Sequence, residues 1–333
     1  MRFRRLIAAV MLAVFVPVPA PANATQTPCT DVNTPVGLGL TTATMYGRLC
    51  VPETASTVMV LVPGGTYTHD YWDIPIDPDV RSVRLALNKA HIATMTVDRI
   101  GTGRSSKPLS LLVDNVSQAQ AVHRVIQSLR PRFDKVVIGG HSIGSVITMV
   151  EAGTYRDVDG VMVTGMTHQW DYLRAVPALA NSIPAALDPV LSVRGLDPGY
   201  LTTMPGARYG MFHAPGPNVS SVVDYDESTK DVFTAGEAVT TIVMSNLVLP
   251  ASATINAPVL TVQTTADYFC GTPPLGADCS SAEALAASER PFFTHAPRVD
   301  GYVLSGYGHC FNFSADAASG YHDAVIEWAR SLA

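Results

Sequence analysis

Charge and metal-binding patterns are both scarce in this chain. Only 15% of its 333 residues are charged, and no CxxC or HExxH spacing occurs, so no metal site is expected. It carries no basic run and no interleaved stacking aromatics, which argues against nucleic acid as a partner. Past the first residues no apolar stretch reaches the length of a membrane-spanning helix, so stable membrane insertion is not expected. No internal repeat or low-complexity tract is present, and no segment marks an obligate protein partner. The formal net charge of −6 mainly serves solubility.

Cysteines are few and odd in number, five in all. Their use depends on compartment, and the first residues speak to that. Arg2, Arg4 and Arg5 precede an apolar run from Leu6 to Val16, and small residues end in Ala22, Asn23 and Ala24. This is the pattern of a signal peptide over 1–24, cleaved after Ala24, with a soluble secreted protein as the expected product. In an oxidising compartment the cysteines can pair. Cys29 and Cys50 flank a predicted hairpin and Cys270 and Cys279 bracket a short loop, so Cys29–Cys50 and Cys270–Cys279 are the expected disulfides. Cys310 is left over and reads as a small buried apolar side chain.

Apolar strands alternate with helical segments along most of 25–333, which predicts a single α/β domain: a mostly parallel central sheet with helices on both faces. Candidate strands cover 57–63, 92–98, 135–140, 158–164, 258–264 and 299–304, with helices near 79–90, 116–130, 143–152 and 316–331. Residues 166–250 break the rhythm. Rich in Pro, Met and Tyr, they read as a cap or lid inserted over the carboxyl edge of the sheet.

The most informative stretch is KVVIGGHSIGSVITMVEAG, where a β-branched strand runs into GHSIG at 140–144 and then into helical sequence. A serine hydroxyl attacks a carbonyl only when it projects clear of the backbone and a base takes its proton. A sharp strand-to-helix turn does the projecting, with Gly140 and Gly144 small where side chains would collide. Ser142 is the candidate nucleophile.

The base needs an orienting acid, and both belong at the ends of later parallel strands. Asp267 follows the strand PVLTVQT, and His309 follows VDGYVL within SGYGHC. His309 is the candidate base, the one histidine of nine after the final strand and before the closing helix. Asp267 is favoured over Asp278, Asp224 and Asp226 by its place directly beyond the strand. His141 reads as packing or pocket wall, His69 as a pocket-rim or surface residue and His123 as an exposed helix residue. Charge developing on a carbonyl oxygen requires amides already aimed at it. The amide of Ile143, directly after Ser142, is one expected donor; the other is Gly65, with Thr66 next, from the loop LVPGGTYTHDYW.

With these residues in hand the chain resembles the α/β-hydrolase superfamily over about 55–333. The resemblance rests on GHSIG, the PGGTYTHDYW loop, the turn DRIGTGRSS at 98–106, Asp267 and His309. The DPGYLTTMPGARYGMFHAPGP stretch is similar to exported actinobacterial-type hydrolases. The resemblance implies the α/β-hydrolase fold with an eight-stranded sheet, no cofactor, and an ester, thioester, amide or lactone substrate. Pro63 stands where the family usually has histidine. The Asp98–Arg99 turn fails the nucleotide fingerprints and reads as a structural support for the site. A secreted serine hydrolase of a carboxylic ester, lactone or thioester, with an acyl-enzyme intermediate, is the leading expectation, acting on a small or medium apolar substrate. An acyltransferase on the same triad and a non-catalytic binding module on the fold remain as alternatives.

Overall fold

The computed structural model describes residues 27–243, 251–314 and 318–332. The expected signal peptide lies outside the described residues, as does the last part of the 166–250 segment. Eight strands form one sheet: β1 (Cys29–Leu38), β2 (Thr41–Cys50), β3 (Thr57–Val62), β4 (Ala93–Val97), β5 (Lys135–His141), β6 (Gly160–Thr164), and then β10 (Val259–Thr264) and β11 (Val299–Leu304). Their spatial order is β1-β2-β4-β3-β5-β6-β10-β11. Only β2 runs against its neighbours, pairing antiparallel with both β1 and β4. The sheet is therefore mostly parallel, as the alternating pattern predicts.

Alternation within a strand assigns its side chains to two apolar layers. Val58, Val60 and Val62 of β3 pack with α3 (Asn115–Leu129) and α4 (Ile143–Tyr155) through Val122, Val125, Val146 and Ile147. Met59 and Leu61 face the other way, toward Val83 and Leu87 of α2 (Val83–Lys89) and Tyr321 and Val325 of α9 (Ala318–Arg330). A sheet covered on both faces needs apolar residues at every position, which is why β3 to β6 read as continuous runs.

The helix expected over 79–90 is broken in two, α1 (Pro78–Arg81) and α2. Ser82 turns extended between them, and its hydroxyl caps α2 by accepting from Leu85 N at 2.9 Å while donating to Asp73 Oδ1 at 2.7 Å. Both expected disulfides are present. Cys29 and Cys50 are direct partners in the β1–β2 ladder, so the bridge closes the hairpin where the strands already meet.

Between β6 and β10 the chain leaves the sheet. It forms α5 (Tyr172–Leu179), β7 (Ser182–Pro184), β8 (Tyr200–Thr203), α6 (Ser220–Ser228), β9 (Phe233–Thr234) and α7 (Ala235–Ile242), with β7, β8 and β9 in a small sheet of their own. The periodicity did not disclose this second sheet, because its strands are two to four residues long. A further helix, α8 (Ala282–Glu289), follows β10. Among the described residues no helix is long and apolar enough to cross a membrane.

Candidate active site

Register alone brings the carboxyl ends of the parallel strands together. Val62 of β3 is level with Gly140 of β5, His141 with Thr164 of β6, and Thr264 of β10 with Leu304 of β11. The loops leaving these ends carry Gly65, Ser142, Asp267 and His309 to one edge of the sheet.

Ser142 sits at the turn from β5 into α4 with φ 54° and ψ −124°, a conformation that costs an L-residue about 1–3 kcal/mol. The flanking glycines make the turn possible through space rather than through φ. A Cβ on Gly140 would lie 2.2 Å from the carbonyl oxygen of Gly144, and one on Gly144 would lie 2.3 Å from that of Val62. The turn is held by Ser142 N–H donating to Thr164 O at 2.8 Å.

His309 and Asp267 are paired, Nδ1 to Oδ2 at 2.9 Å, both side chains fully buried. Asp267 is itself fixed by Phe269 N–H donating to Oδ1 at 3.0 Å. With Nδ1–H donated to the carboxylate, Nε2 is the nitrogen left for chemistry. The imidazole is walled by aromatic rings: Tyr268 at 4.8 Å, Phe269 at 5.5 Å and Phe212 at 5.9 Å between centroids. The competing acids lie elsewhere. Asp226 is buried against Arg208, Asp224 is exposed, and Asp278 caps its own loop through Ser280 N–H.

Ile143 is the first residue of α4, where backbone N–H groups have no intrahelical acceptor. Gly65 packs directly against it: a Cβ there would lie 2.9 Å from Ile143 Cδ1. The N–H of Thr66 is committed to Val232 O at 3.3 Å, which favours Gly65 over Thr66 as the candidate donor from this loop. The left-handed residue of the loop is Thr66, at φ 65°, not either glycine.

Ser142, Ile143, Gly65 and His309 open on one cavity of about 220 Å³, whose other walls include Trp170, Leu201, Met211, Phe233, Tyr268 and Ile242. Among the described residues no Asp, Glu, Lys or Arg lines it.

Of the remaining histidines His141 takes the packing place that was one of its two expected readings, while His69 and His123 are placed otherwise than expected. His141 lies beneath the site and not on the cavity wall, stacked on Tyr71 at 4.4 Å. Its Nδ1–H donates to Thr164 Oγ1 at 3.1 Å, and Nε2 faces Cys310 Sγ at 3.5 Å. Tyr67 O–H donates to the same sulfur at 3.1 Å. Cys310 is thus buried as expected but works as a link in a neutral polar chain. Burial, and secondarily His309, holds the His141 pKa well below the ordinary imidazole value. His69 locks the Asp98 turn, Nδ1 at 2.8 Å from Asp98 Oδ1, instead of reaching the cavity. His123 is half-buried between α3 and α4.

Sequence reasoning missed one support and two buried ion pairs. Gly165, left-handed at the end of β6, leaves room for both imidazoles: a Cβ would lie 2.5 Å from His141 Cε1 and 3.1 Å from His309 Cε1. A glycine directly beyond a core strand was the available signal. Arg208 is buried with Asp226, Nη2 to Oδ1 at 2.6 Å, and Arg99 is buried against Glu237 of α7. Nothing in the sequence pairs residues so far apart.

An eight-stranded, mostly parallel sheet with a strained serine at a strand-to-helix turn and a buried His–Asp pair at the same edge defines an α/β hydrolase. The chain belongs to the alpha/beta hydrolase family, whose sequence profile it matches over residues 59–319. No curated protein matches it in sequence. Among solved structures it is similar to a bromoperoxidase from Bacillus anthracis (TM-score 0.63, 15% identity, 90% of this chain and 100% of that one). It is also similar to a thermophilic esterase from Thermogutta terrifontis (0.59, 15%, 91% and 99%) and a carboxyl esterase from Bacillus coagulans (0.60, 13%, 91% and 98%). At such identities the likeness speaks for the fold.

Proposed function

We propose that the protein is a secreted serine hydrolase of carboxylic esters, with lactones and thioesters as related substrates. The observation that carries this reading is the convergence of strained Ser142 and the His309–Asp267 pair on an uncharged cavity. His309 Nε2 takes the proton of Ser142 as its Oγ attacks the ester carbonyl. The amides of Gly65 and Ile143 receive the charge that develops on oxygen. The proton then passes from His309 to the leaving alcohol, and water repeats the sequence on the acyl-enzyme. Asp267 holds the tautomer throughout.

The uncharged walls support a small or medium apolar substrate, bound mainly by burial of its apolar surface. The segment between β6 and β10 serves as the cap over this cavity. Two disulfides accord with an oxidising compartment, the signal-peptide pattern with export.

A series of p-nitrophenyl esters of rising chain length tests the reading, with labelling by a fluorophosphonate. Short and medium acyl esters should be cleaved faster than charged ones, with the label on Ser142 and the free acid as product. Transfer to an added alcohol as the dominant outcome would replace hydrolysis by acyl transfer. Absence of both turnover and labelling would leave a binding module.

A further inference from the structure

Between α3 and the carboxyl-terminal half of α4 three ligating side chains converge. His123 stands on α3 and Glu151 on the last turn but one of α4. Asp157 comes two residues after α4 ends, brought back by Arg156, left-handed at φ 53°. His123 Nδ1 is 3.2 Å from Glu151 Oε1 and 3.1 Å from Asp157 Oδ2. We propose that His123, Glu151 and Asp157 form a binding site for a divalent transition-metal ion, Zn²⁺ first among them, that clips the end of α4 to α3.

The separations fit. Two ligands each about 2.0–2.1 Å from a Zn²⁺ ion lie about 2.8–3.0 Å apart in an octahedral and about 3.3–3.4 Å apart in a tetrahedral arrangement, and the separations of 3.1 and 3.2 Å lie between the two. The donor set also fits, since an imidazole with two carboxylates suits Zn²⁺ better than the all-oxygen ions Ca²⁺ and Mg²⁺.

An independent observation points to a ligand. The Glu151 side chain is wholly buried with its carboxyl set against that of Asp157, and neither Glu151 Oε2 nor Asp157 Oδ1 has a hydrogen-bond partner outside the cluster among the described residues. Buried carboxylate oxygens left without a partner are costly, and a cation satisfies them. Support around the ligands is already in place. Gln127 Nε2–H donates to Asp157 Oδ2, and Tyr155 stacks on the imidazole at 3.6 Å and 12°. The nearby positive charge is turned aside, with Arg130 bonded to the Asp157 carbonyl and, at 2.6 Å, to Asp159 Oδ2. His123 and Asp157, about one-fifth exposed, provide entry from solvent.

The test uses the untagged full-length protein, stripped with EDTA and titrated with ZnCl₂ by calorimetry and by thermal unfolding. One Zn²⁺ per chain should bind with a dissociation constant of about 1–10 μM, and Tm should rise with Zn²⁺ as linkage requires. His123→Ala and Glu151→Gln should each weaken binding at least about tenfold. The metal-free His123→Ala protein should keep its ester turnover, and Ca²⁺ and Mg²⁺ should not compete. Saturation absent up to about 1 mM Zn²⁺, or binding unchanged in both variants, overturns the proposal. So does binding lost only in Cys310→Ser, because His141, His309 and Cys310 form a second group of donor atoms within 4.8 Å of one another.

Discussion

Arg208 reaches across from the segment between β6 and β10 to Thr66, its Nη1 donating to Thr66 Oγ1 at 2.7 Å. Thr66 is the left-handed residue next to Gly65, so a side chain outside the main sheet helps hold the loop that carries one of the two proposed oxyanion donors. The guanidinium is itself fixed by Asp226 at 2.6 and 2.9 Å and lies over Tyr67 at 4.5 Å.

On the proposed mechanism Thr66 is a positioning residue. Thr66→Ala should lower kcat about tenfold with a smaller change in KM, since a lost bond to a charged donor is worth about 1.5–3 kcal/mol and only part of that reaches the transition state. Thr66→Ser, which keeps the hydroxyl, should retain most of kcat. Steady-state kinetics on one ester checks both. Equal losses in the two variants would mean that the hydroxyl does not position the loop.

At Ser142 catalysis and strain are separable. Ser142→Ala should cut turnover at least about a thousandfold while leaving the fold intact. Ser142→Gly should be equally inactive yet more stable than Ser142→Ala by about 1 kcal/mol, because glycine accepts a φ of 54° without strain. Urea unfolding of the two variants measures the difference. A less stable glycine variant would show that the elbow stores no strain.

The neutral chain under the site predicts inert chemistry there. The Cys310 thiol is raised well above its usual pKa, chiefly by burial, so the folded protein should show no titratable thiol and the unfolded, unreduced protein one. His141, whose pKa burial lowers, stays uncharged, so His141→Gln should keep the shape of the pH–rate profile while costing stability. His309→Gln should abolish the rate. Ellman titration and pH profiles on the variants decide both points.

Acid should weaken the fold partly through His322 on α9. Burial lowers its pKa to about 4, against the nearby charge of Asp323, from an ordinary value of 6.5. The unfolded chain then binds a proton that the folded chain refuses as pH falls below about 6.5, so stability drops through that window and levels near pH 4. The contribution is on the order of 2–3 kcal/mol. His322→Leu should flatten this limb in unfolding measured from pH 7 to pH 4.5. An unchanged slope would assign the acid sensitivity to other groups.

The parallel strands and the four candidate residues that meet at their ends were legible in the sequence because each is a local event. A β-branched run buried on both faces announces a parallel strand, a glycine-flanked serine after it marks the turn, and Asp267 and His309 each follow directly on a strand. Parallel pairing then carries such residues to one edge whatever lies between them. The break at Ser82 was hidden because a serine is compatible with either a helix interior or a cap, and only its bond to Asp73 decides.

Sequence by itself thus determined the class of fold, the candidate site residues and both disulfide pairings, since these depend on periodicity, spacing and proximity along the chain. Only the tertiary structure brought Arg208 to Thr66, set Gly165 beside two imidazoles and gathered His123, Glu151 and Asp157 into one cluster. These placements come from contacts between segments brought together by sheet and helix packing. A buried charge finds its partner through space, and the chain order carries no record of that distance.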